Sequence, residues 1–438
     1  MKKADSRWIK GFILLLALVA GLGLVAEDAD ATNGYFAHGY SIESKAMGGA
    51  GVALPQGSLD ASVNPALMAF VGTRADISLS IFNPNREYTV KGDPSGFWTP
   101  FGLEEGTVKS DSKYFLVPAM GFNWSLNDKT SVGISIYGNG GMNTDYDKRT
   151  YDFFGALGPV SKPTGVDLMQ LFIVPTLSVK VTPKHSIGVS PIIAYESFEA
   201  VGLEAFDNPL FSSASGKVTN NGHASAYGLG GRIGYYGELF PFLSIGASYQ
   251  TKIWASKLDK YAGLFAEQGG FNIPANWTIG IAIKPTPALA FAFDVQKIYY
   301  SDVKTVANPM ANLFTARLGD NGGAGFGWHD MTVYKAGVQW KSSDAWTWRA
   351  GYSYGKQPIR KDDVMFNILA PGVIEQHATA GFTRAMSKTQ DLRFSLMHAF
   401  SKTVSGNNYV TNFLAGDNQK IDIKMNQWEA TIGYTWKF

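Results

Sequence analysis

The sequence contains no cysteine among its 438 residues. This absence excludes a disulfide framework, a thiolate metal site and a cysteine nucleophile. Charge is also scarce, because Asp, Glu, Lys and Arg make up 17% of the chain and the formal net charge is +2. We therefore expect neither nucleic acid as a partner nor a polybasic patch for a membrane surface.

Long hydrophobic runs are missing beyond the N-terminal segment, and the mean hydropathy of -0.05 excludes a bundle of transmembrane helices. At the N-terminus, basic residues precede an apolar run over 12–25, and Ala-Asp-Ala at 29–31 has the small-x-small cleavage pattern. We predict a signal peptide over residues 1–31, with cleavage after Ala26 as the second choice. The alternative is a membrane-anchoring helix, although about 14 apolar residues is short of the roughly 20 that span a bilayer.

Motifs for metal or nucleotide chemistry are also missing. The six histidines are single and lack H-x-x-x-H spacing, and there is no P-loop or dinucleotide fingerprint. The stretch Asp320-Asn321-Gly322-Gly323 hints only faintly at Ca²⁺, and a flexible loop is the better interpretation. We expect no metal, no cofactor and no enzymatic activity.

One sequence pattern is shared with hydrolases and has to be weighed against a structural interpretation. Gly351-Tyr352-Ser353-Tyr354-Gly355 matches the G-x-S-x-G of hydrolases, whose serine must stand on a sharp strand-to-helix turn. Here the pattern continues an alternating segment from Trp346 and no helix is indicated after it, so we interpret Ser353 as a small residue in a strand. An outer-membrane barrel hydrolase stays as an alternative, to be decided by whether His and acidic side chains surround Ser353.

Aromatic residues and glycine are abundant, at 13% and 49 residues. A transmembrane β-barrel carries aromatics at its two membrane interfaces and glycine at crowded inward positions. From residue 73 onward, fourteen segments alternate apolar residues with small or polar ones, which predicts fourteen strands. The predicted strands are 73–84, 113–126, 130–146, 166–181, 185–203, 224–239, 242–261, 275–285, 288–305, 331–342, 346–360, 376–388, 390–406 and 420–438.

The alternation also predicts which face of each strand is inside. In the eighth predicted strand, Trp277 and Ile279 share one face and Thr278 and Gly280 share the other. Charged residues fall mostly on one face, which we assign to the lumen because Arg or Lys facing lipid at mid-membrane costs about 2–4 kcal/mol. Seven long connections alternate with six tight ones, which requires an even barrel with both ends on the short-turn side, the periplasmic side in an outer membrane.

The last predicted strand ends in alternating aromatics, Tyr434, Trp436 and Phe438. A terminal phenylalanine after this pattern resembles the recognition signal of bacterial outer-membrane barrels, so the barrel-assembly machinery is an expected partner. The alternative is the final strand of a soluble β-sandwich. An edge strand this aromatic invites aggregation, whereas closure of a barrel removes the edge.

Residues 32–72 show no sustained helical or alternating period and are rich in Gly, Ala, Asn and Pro. Such a segment cannot build a core of its own, so we expect it to fill the barrel as a hatch. The predicted organisation is a signal peptide at 1–31, a hatch at 32–72 and a barrel at 73–438. The fold class is all-β, a 14-stranded antiparallel transmembrane β-barrel plugged by a small N-terminal hatch domain.

Four stretches carry a resemblance to a known family. They are the glycine-rich run with Gly48, Gly49 and Gly51, then Asn64-Pro65-Ala66 before the first strand, the glycine-containing stretch 137–146 and the aromatic last strand. In these features the chain resembles the FadL/OmpP1/TodX family of hydrophobic-compound transporters of the bacterial outer membrane. The resemblance covers essentially the whole mature chain.

The resemblance implies a multi-pass outer-membrane barrel in contact with lipid, through which long-chain fatty acids or similar hydrophobic molecules pass. It also implies a kinked third strand that opens a lateral gap, which places Gly138, Gly140 and Gly141 at that gap. The chain departs from the family at Asn139-Gly140-Gly141, where Pro-Phe-Gly is typical. More glycine still favours a break in the strand ladder. Aromatic or alkane hydrocarbons are the alternative cargo.

The polar outer leaflet is a barrier to a hydrophobic ligand. The long loops are therefore expected to offer an apolar binding site. Two loops carry the candidate residues, which are Phe206, Leu210 and Phe211 in 204–223 and Leu264 and Phe265 in 262–274. Together these loops would form an exposed apolar groove. The alternative is that these side chains only pack the loops together or lie at the membrane interface.

Inside the barrel, a fatty acid would need a cation near its carboxylate. By parity the lumen cations are Arg232, Arg349, Lys335 and Arg393, and Arg232 and Arg349 are our candidates for ligand binding. The alternative for each is a charge pair that stabilises the interior, with acids such as Asp294, Glu238 or Asp391.

Phe36 lies near the mature N-terminus, and we predict that it reaches into the lumen and reports ligand binding to the hatch. A general diffusion porin is a third functional class. The hatch argues against it, because a porin keeps an aqueous channel open.

Overall fold

The computed structural model describes residues 33–92, 102–151, 161–411 and 419–438. The predicted signal peptide, residues 1–31, lies outside these ranges. Fourteen strands form one antiparallel barrel, as predicted. The barrel strands are β1 Arg74–Lys91, β2 Phe115–Ser125, β3 Thr130–Asp145, β4 Gly165–Thr182, β5 His185–Val201, β6 Ala224–Phe240, β7 Leu243–Gln250, β8 Asn276–Thr286, β9 Leu289–Ile298, β10 Met331–Lys341, β11 Trp346–Gly355, β12 Gln376–Ala385, β13 Gln390–Asn407 and β14 Lys420–Lys437.

Each strand pairs with its neighbours in the chain, and the sheet closes between its first and last strands. The closing ladder of β14 on β1 runs from the pair Arg74 and Lys437 to the pair Lys91 and Lys420. Closure removes the free edges of the first and last strands, which is the condition for a sheet with an apolar outer face. Two short strands, Gly106–Lys109 and Trp254–Ala255, add to β1 and β6 respectively.

The connections alternate in length around the barrel. Tight turns join β2 to β3, β4 to β5, β6 to β7, β8 to β9, β10 to β11 and β12 to β13, and long loops make the other connections. Both ends of the barrel chain therefore lie on the side of the tight turns, as the sequence predicted. The long loops gather at the opposite end.

Burial follows the predicted alternation. In β13, Arg393 is 1% exposed and points inward, while Leu396 and Phe400 on the other face are about two-fifths exposed. In β11, Ser353 is fully buried and Tyr352 and Tyr354 point outward. The apolar outer face and polar inner face are those of a barrel in lipid.

Some strand ends differ from the prediction. β7 ends at Gln250, β9 at Ile298 and β11 at Gly355, although alternation continued to 261, 305 and 360. The apolar residues beyond these ends are buried within the loops, where burial does not require the alternation of a β-strand. β1 is longer than predicted. It runs to Lys91 through a polar stretch in which the apolar alternation was not recognised.

Helices are few and short within the ranges that the structure describes. They are Ile42–Ala46, Ala266–Gly269, Lys304–Ala307 and Val364–Asn367, with 3₁₀ turns at Asp60–Ser62, Pro65–Phe70, Glu204–Phe206, Asp259–Tyr261, Tyr300–Asp302, Met310–Phe314 and Lys361–Asp363. In the portion of the chain that the structure describes, none of them has the length and apolar character of a membrane-crossing helix.

The N-terminal segment lies inside the barrel, where nearly all of its residues from 33 to 69 are buried. It has two parts with different contacts. We call residues 33–37 the tip and residues 38–72 the hatch body. The tip lies against β3 and the long loops, and the hatch body contacts strands around the barrel wall.

Candidate functional site

The Asn-Pro-Ala sequence fixes the hatch body to β4, β5 and β6. The Asn64 side chain donates to the Val52 carbonyl at 2.8 Å and to the Tyr235 carbonyl at 2.9 Å. Its amide oxygen accepts from the backbone N–H of Ala66 at 3.0 Å, which caps the turn that begins at Pro65. A side chain at Gly234 would place its Cβ 2.0 Å from the Asn64 oxygen, so the wall is glycine where the hatch approaches.

Buried charges fix the hatch body to the closing strands. Arg393 Nη1 lies 2.9 Å from Glu43 Oε1, and Arg393 Nη2 lies 3.1 Å from Asp76 Oδ1. Lys45 pairs with Glu429 nearby. Because these groups are almost fully buried, removing one partner would leave a charge without compensation inside the barrel.

The glycine-rich run turns sharply beneath β9 to β12. Gly48 donates its N–H to Thr379 Oγ1 at 2.8 Å, and Gly51 donates to Asp294 Oδ2 at 2.8 Å. Gly48 and Gly49 have φ of +66° and +83°, a region that glycine adopts without strain. The predicted hatch residues therefore lie where the hatch contacts the barrel wall.

All four predicted lumen cations lie inside the barrel and contact the hatch. Arg232 Nη1 donates to the Ala61 carbonyl at 3.0 Å, and Arg349 Nε donates to Gln56 Oε1 at 3.1 Å. Lys335 Nζ lies 3.4 Å from the His38 carbonyl, and Arg393 pairs with the hatch as described. Glu238 pairs with Lys184 and Asp391 with Lys437, so these two acids do not form the charge pairs of the alternative interpretation. Any role of the cations in ligand binding stays a prediction.

The wall is interrupted at β3. The β2–β3 ladder stops at the pair Ala119 and Tyr137, and the register of β3 on β4 shifts between Gly138 and Gly140, with Asn139 bulged between them. Backbone pairing on the β2 side resumes at Asp145, whose carbonyl accepts from the N–H of Asp111 at 2.7 Å, and at Tyr146, which forms a bridge to Ser110. We call residues 138–144, which lack a β2 partner in the ladder, the gap.

The tip occupies the inner side of the gap. The N–H of Ala37 donates to the Asn139 carbonyl at 3.1 Å, and the N–H of Gly141 donates to the Tyr35 carbonyl at 3.0 Å. Phe36 forms a bridge with Gly140, where a Cβ would lie only 1.8 Å from the Tyr35 carbonyl oxygen. The tip therefore takes the place of the missing strand partner, and glycine at 140 permits this approach.

Aromatic side chains from the long loops cover the tip. Tyr35 lies 5.2 Å from Tyr300 and 5.9 Å from Trp328, measured between ring centroids. The Tyr300 hydroxyl accepts from the N–H of Tyr35 at 3.2 Å and donates to the Asn33 carbonyl. Phe36, predicted to reach the lumen, is stacked on Tyr35 within this cluster.

An outer cavity of about 40 Å³ lies between the long loops and the barrel. Phe206, Leu264 and Phe265 line it, together with Phe198 of β5, and no charged residue is among its lining residues. The two predicted loops therefore meet, but around a buried cavity and not in an exposed groove. Leu210 is outside it and 68% exposed, and Phe211 packs beside Phe206 at 6.3 Å between ring centroids.

An inner cavity of about 10 Å³ lies beside the tip and reaches the gap. Its lining includes Tyr35, Trp328, Met142 of β3 and Arg86 of β1. Arg86 donates to Ser110 Oγ at 3.1 Å and to the Asn143 carbonyl at 2.5 Å, and no ion pair of Arg86 is present among the described residues. The sequence prediction missed this cation, because the first strand was predicted to end before it.

Ser353 does have a histidine neighbour. Its Oγ lies 3.1 Å from His377 Nδ1, and the His377 ring stacks on that of His38 at 5.8 Å. Within the described ranges, no carboxylate pairs with His377, and Ser353 and His377 are both fully buried. The acid nearby, Glu429, lies 3.5 Å from His38 instead. The geometry lacks the third group of a triad and an exposed nucleophile.

His38 belongs to the hatch body and is neutral at pH 7. Burial lowers the pKa of His38 to about 4, although the Glu429 carboxylate acts in the opposite direction. Its contact with Glu429 is therefore a contact of a neutral ring. Among the residues that the structure describes, no group of three His, Asp or Glu is arranged to hold a metal ion.

The family described as "Outer membrane protein transport protein (OMPP1/FadL/TodX)" matches residues 23–438. No curated protein sequence matches the chain. Among solved structures, the Pseudomonas putida toluene transporter TodX is 20% identical with a TM-score of 0.66, covering 93% of this chain and 100% of that chain. The Ralstonia pickettii toluene transporter TbuX is 18% identical with a TM-score of 0.62, covering 92% and 99%. A Pseudomonas aeruginosa FadL homologue is 17% identical with a TM-score of 0.66, covering 92% and 100%.

Proposed function

This chain belongs to the outer membrane protein transport family (OMPP1/FadL/TodX), and we propose that it is a passive importer of small uncharged hydrophobic molecules, which leave sideways through the gap in β3. Transport of hydrophobic compounds across the outer membrane follows from the family. The cargo and the release route are the proposal. The observation that supports it is the position of the tip, which fills the gap from inside through hydrogen bonds that a ligand can displace.

The ligand enters through the outer cavity. Phe206 and Phe265 belong to the long loops, while Phe198 belongs to the barrel wall, so the cavity joins the loop region to the lumen. Its lining is apolar, and aromatic rings in it meet edge to face, as in the pair Tyr151 and Phe206 at 5.3 Å between ring centroids. Such a surface favours apolar ligands by burial alone.

The ligand leaves through the gap. Two backbone hydrogen bonds join the tip to β3 in the described part of the chain, and each is worth about 0.5–1.5 kcal/mol net. A ligand that binds beside Tyr35 in the inner cavity displaces the tip inward, and the gap then connects the lumen to the lipid. The hatch body stays in place, because its buried charges cost far more to separate.

The cargo is uncharged, because the candidate lumen cations already have partners. The guanidinium groups of Arg232 and Arg349 already donate hydrogen bonds to the hatch and to neighbouring strands. Arg86 is the remaining cation beside the route, and its two Nη groups donate to Ser110, Ser112 and Asn143, while its Nε–H has no partner among the described residues. A fatty-acid carboxylate could form a bidentate pair with Arg86 only by breaking these Nη contacts.

Direct binding tests the cargo. Toluene, named as cargo for two of the similar structures, and a labelled long-chain fatty acid are titrated into purified protein in detergent. We expect saturable toluene binding that Arg232→Ala and Arg349→Ala leave unchanged. Fatty-acid binding that one of these variants weakens tenfold would instead assign the chain to carboxylate cargo.

A disulfide across the gap tests the release route, and the absence of native cysteine makes the test clean. A Cβ at Gly138 would lie 3.3 Å from Val117 Cγ1, so Val117→Cys with Gly138→Cys can bridge β2 and β3. We expect uptake of labelled toluene by intact cells to fall when the pair is oxidised and to return on reduction. The control pair is Phe122→Cys with Ile134→Cys, which face each other in the intact ladder. Equal uptake in the oxidised and reduced states of the gap pair would exclude this route.

A further inference from the structure

One carboxyl group on the lumen wall lies in apolar surroundings. Glu196 of β5 is fully buried, and among the described residues it takes part in no ion pair. Its Oε1 accepts from Gln170 Nε2 at 2.8 Å, and its Oε2 has no hydrogen-bond partner. Buried carboxyl oxygens are normally paired, so this one needs an explanation.

The surroundings of Glu196 adjoin the proposed ligand route through Phe198. The inward residues two positions before and after it are Ala194 and Phe198, and it pairs across the ladders with Gln170 and Ala226. Phe198 also lines the outer cavity. A ligand that passes from that cavity towards the gap therefore moves along the face that carries Glu196.

Hydrogen bonds hold the carboxyl group in place from the gap side. Asn139, the bulged residue of β3, donates its Nδ2–H to Gln170 Oε1 at 2.9 Å. Because its oxygen accepts from Asn139, Gln170 directs its Nε2–H to Glu196. Oε1 of Glu196 accepts this bond, and Oε2 stays outside the hydrogen-bond network. The kink in β3 and the free carboxyl oxygen thus belong to one chain of contacts.

We propose that Glu196 binds the polar group of a hydrophobic cargo molecule that carries a single hydroxyl, such as an alkylphenol. A hydroxyl both donates and accepts, so it pairs with a carboxyl group in either protonation state. A carboxylate ligand would meet an acid with no cation beside it. This inference rests on the proposed import of uncharged hydrophobic molecules and narrows its cargo.

Matched ligands and matched variants test it. Toluene and p-cresol share ring and methyl group and differ by one hydroxyl, and their binding to the purified full chain in detergent is measured by calorimetry. We expect Glu196→Leu to weaken p-cresol binding about tenfold and to leave toluene binding unchanged, since only the hydroxyl loses its partner. Glu196→Gln keeps an amide that can pair with a hydroxyl, and its p-cresol affinity should stay within about threefold of wild type.

The control variant is Glu199→Leu, on the outward face of the same strand beside His223. It should alter neither affinity. If Glu196→Leu changes the two affinities by the same factor, or changes neither, the residue has no role in recognition and the inference is wrong. If wild-type protein binds neither toluene nor p-cresol, the proposed import itself fails.

Discussion

The hatch body and the tip are adjacent in sequence and are held in the barrel by different kinds of interaction. The hatch body is fixed by buried ion pairs, with Arg393 between Glu43 and Asp76. The tip is held by neutral contacts, which include two backbone bonds to β3, the hydroxyl of Tyr300 and the aromatic packing of Tyr35 and Phe36. A buried pair is costly to break from one side, whereas a neutral hydrogen bond exchanges with little net cost.

This difference separates a fixed part of the plug from a displaceable part. In the proposed release route, the gap opens to the lipid when only the tip moves, because the gap lies at the tip and not at the hatch body. We expect the hatch body to keep the barrel closed to water while the side wall opens. The four predictions below test whether the two kinds of anchoring are as unequal as the contacts indicate.

The largest effect is expected from the ion pairs of the hatch body. Arg393→Met leaves Glu43 buried without its cation and leaves Asp76 paired with Arg74 alone, so we expect the free energy of unfolding to fall by about 3–5 kcal/mol. Urea titration of the folded protein in detergent measures the change. The control is Arg384→Met, since Arg384 stacks on the ring of Trp346 on the outer face. Similar losses in the two variants would show that the buried pairs do not anchor the hatch body.

A smaller effect is expected at the tip. In Gly140→Ala the new Cβ would lie 1.8 Å from the Tyr35 carbonyl oxygen, so the tip must leave β3. Loss of two backbone bonds corresponds to about 2 kcal/mol, or roughly thirtyfold more of the displaced state. The rate of maleimide labelling of Ala37→Cys, measured in both backgrounds, reports this state.

Gly138→Ala is the control for the tip, because its Cβ would lie 3.3 Å from a Val117 methyl group and needs only a small adjustment. Its labelling rate should stay near that of the parent. A slow rate in Gly140→Ala as well would mean that the tip is held by contacts other than β3.

The barrel was predictable from sequence because alternation is a local signal. Each strand shows its faces within a few residues, and the alternation of tight and long connections then gives strand number and orientation. Strand ends were less accurate where loop residues such as Tyr261 and Tyr300 bury themselves after the strand has ended.

The site was only partly predictable, because its contacts join distant segments. The glycines of β3 indicated a break in the ladder, but nothing local shows that Tyr35 and Ala37 fill it across about a hundred residues. Glu196 did leave a signal, since it is a charged residue within an apolar part of the inward face, with Ala194 before it and Phe198 after it. A search of each inward face for a charged residue between apolar ones would have found it.

A third prediction asks whether the hatch body depends on pH. Burial raises the pKa of Asp60 to about 7, although the N–H groups of Gly57 and Gln56 donate to its Oδ2 and act against this. Glu43 also raises this pKa, and Arg74 lowers it. Between the unfolded pKa near 4 and pH 7 the folded state holds a proton that the unfolded state has lost, so stability falls as pH rises through this range.

For the window from pH 6 to 8, the loss of stability from Asp60 is about 1 kcal/mol. Asp60→Asn keeps an oxygen for the two N–H donors and cannot ionise, so it should flatten this slope. Urea midpoints at pH 6, 7 and 8 give the comparison. Parallel slopes in variant and wild type would assign the pH dependence to other groups.

The smallest effect is expected from the hydroxyl of Tyr300, which measures how finely the tip is balanced. Tyr300→Phe keeps the ring contacts with Tyr35 and Trp328 and removes the hydroxyl that accepts from Tyr35 and donates to Asn33. A loss of about 1 kcal/mol would raise the labelling rate of Ala37→Cys about fivefold. Tyr261→Phe removes a comparable hydroxyl, bonded to Ala200 and Gly222, away from the tip and should leave that rate unchanged. If both variants raise it equally, the loops loosen as a whole and the tip has no separate anchoring.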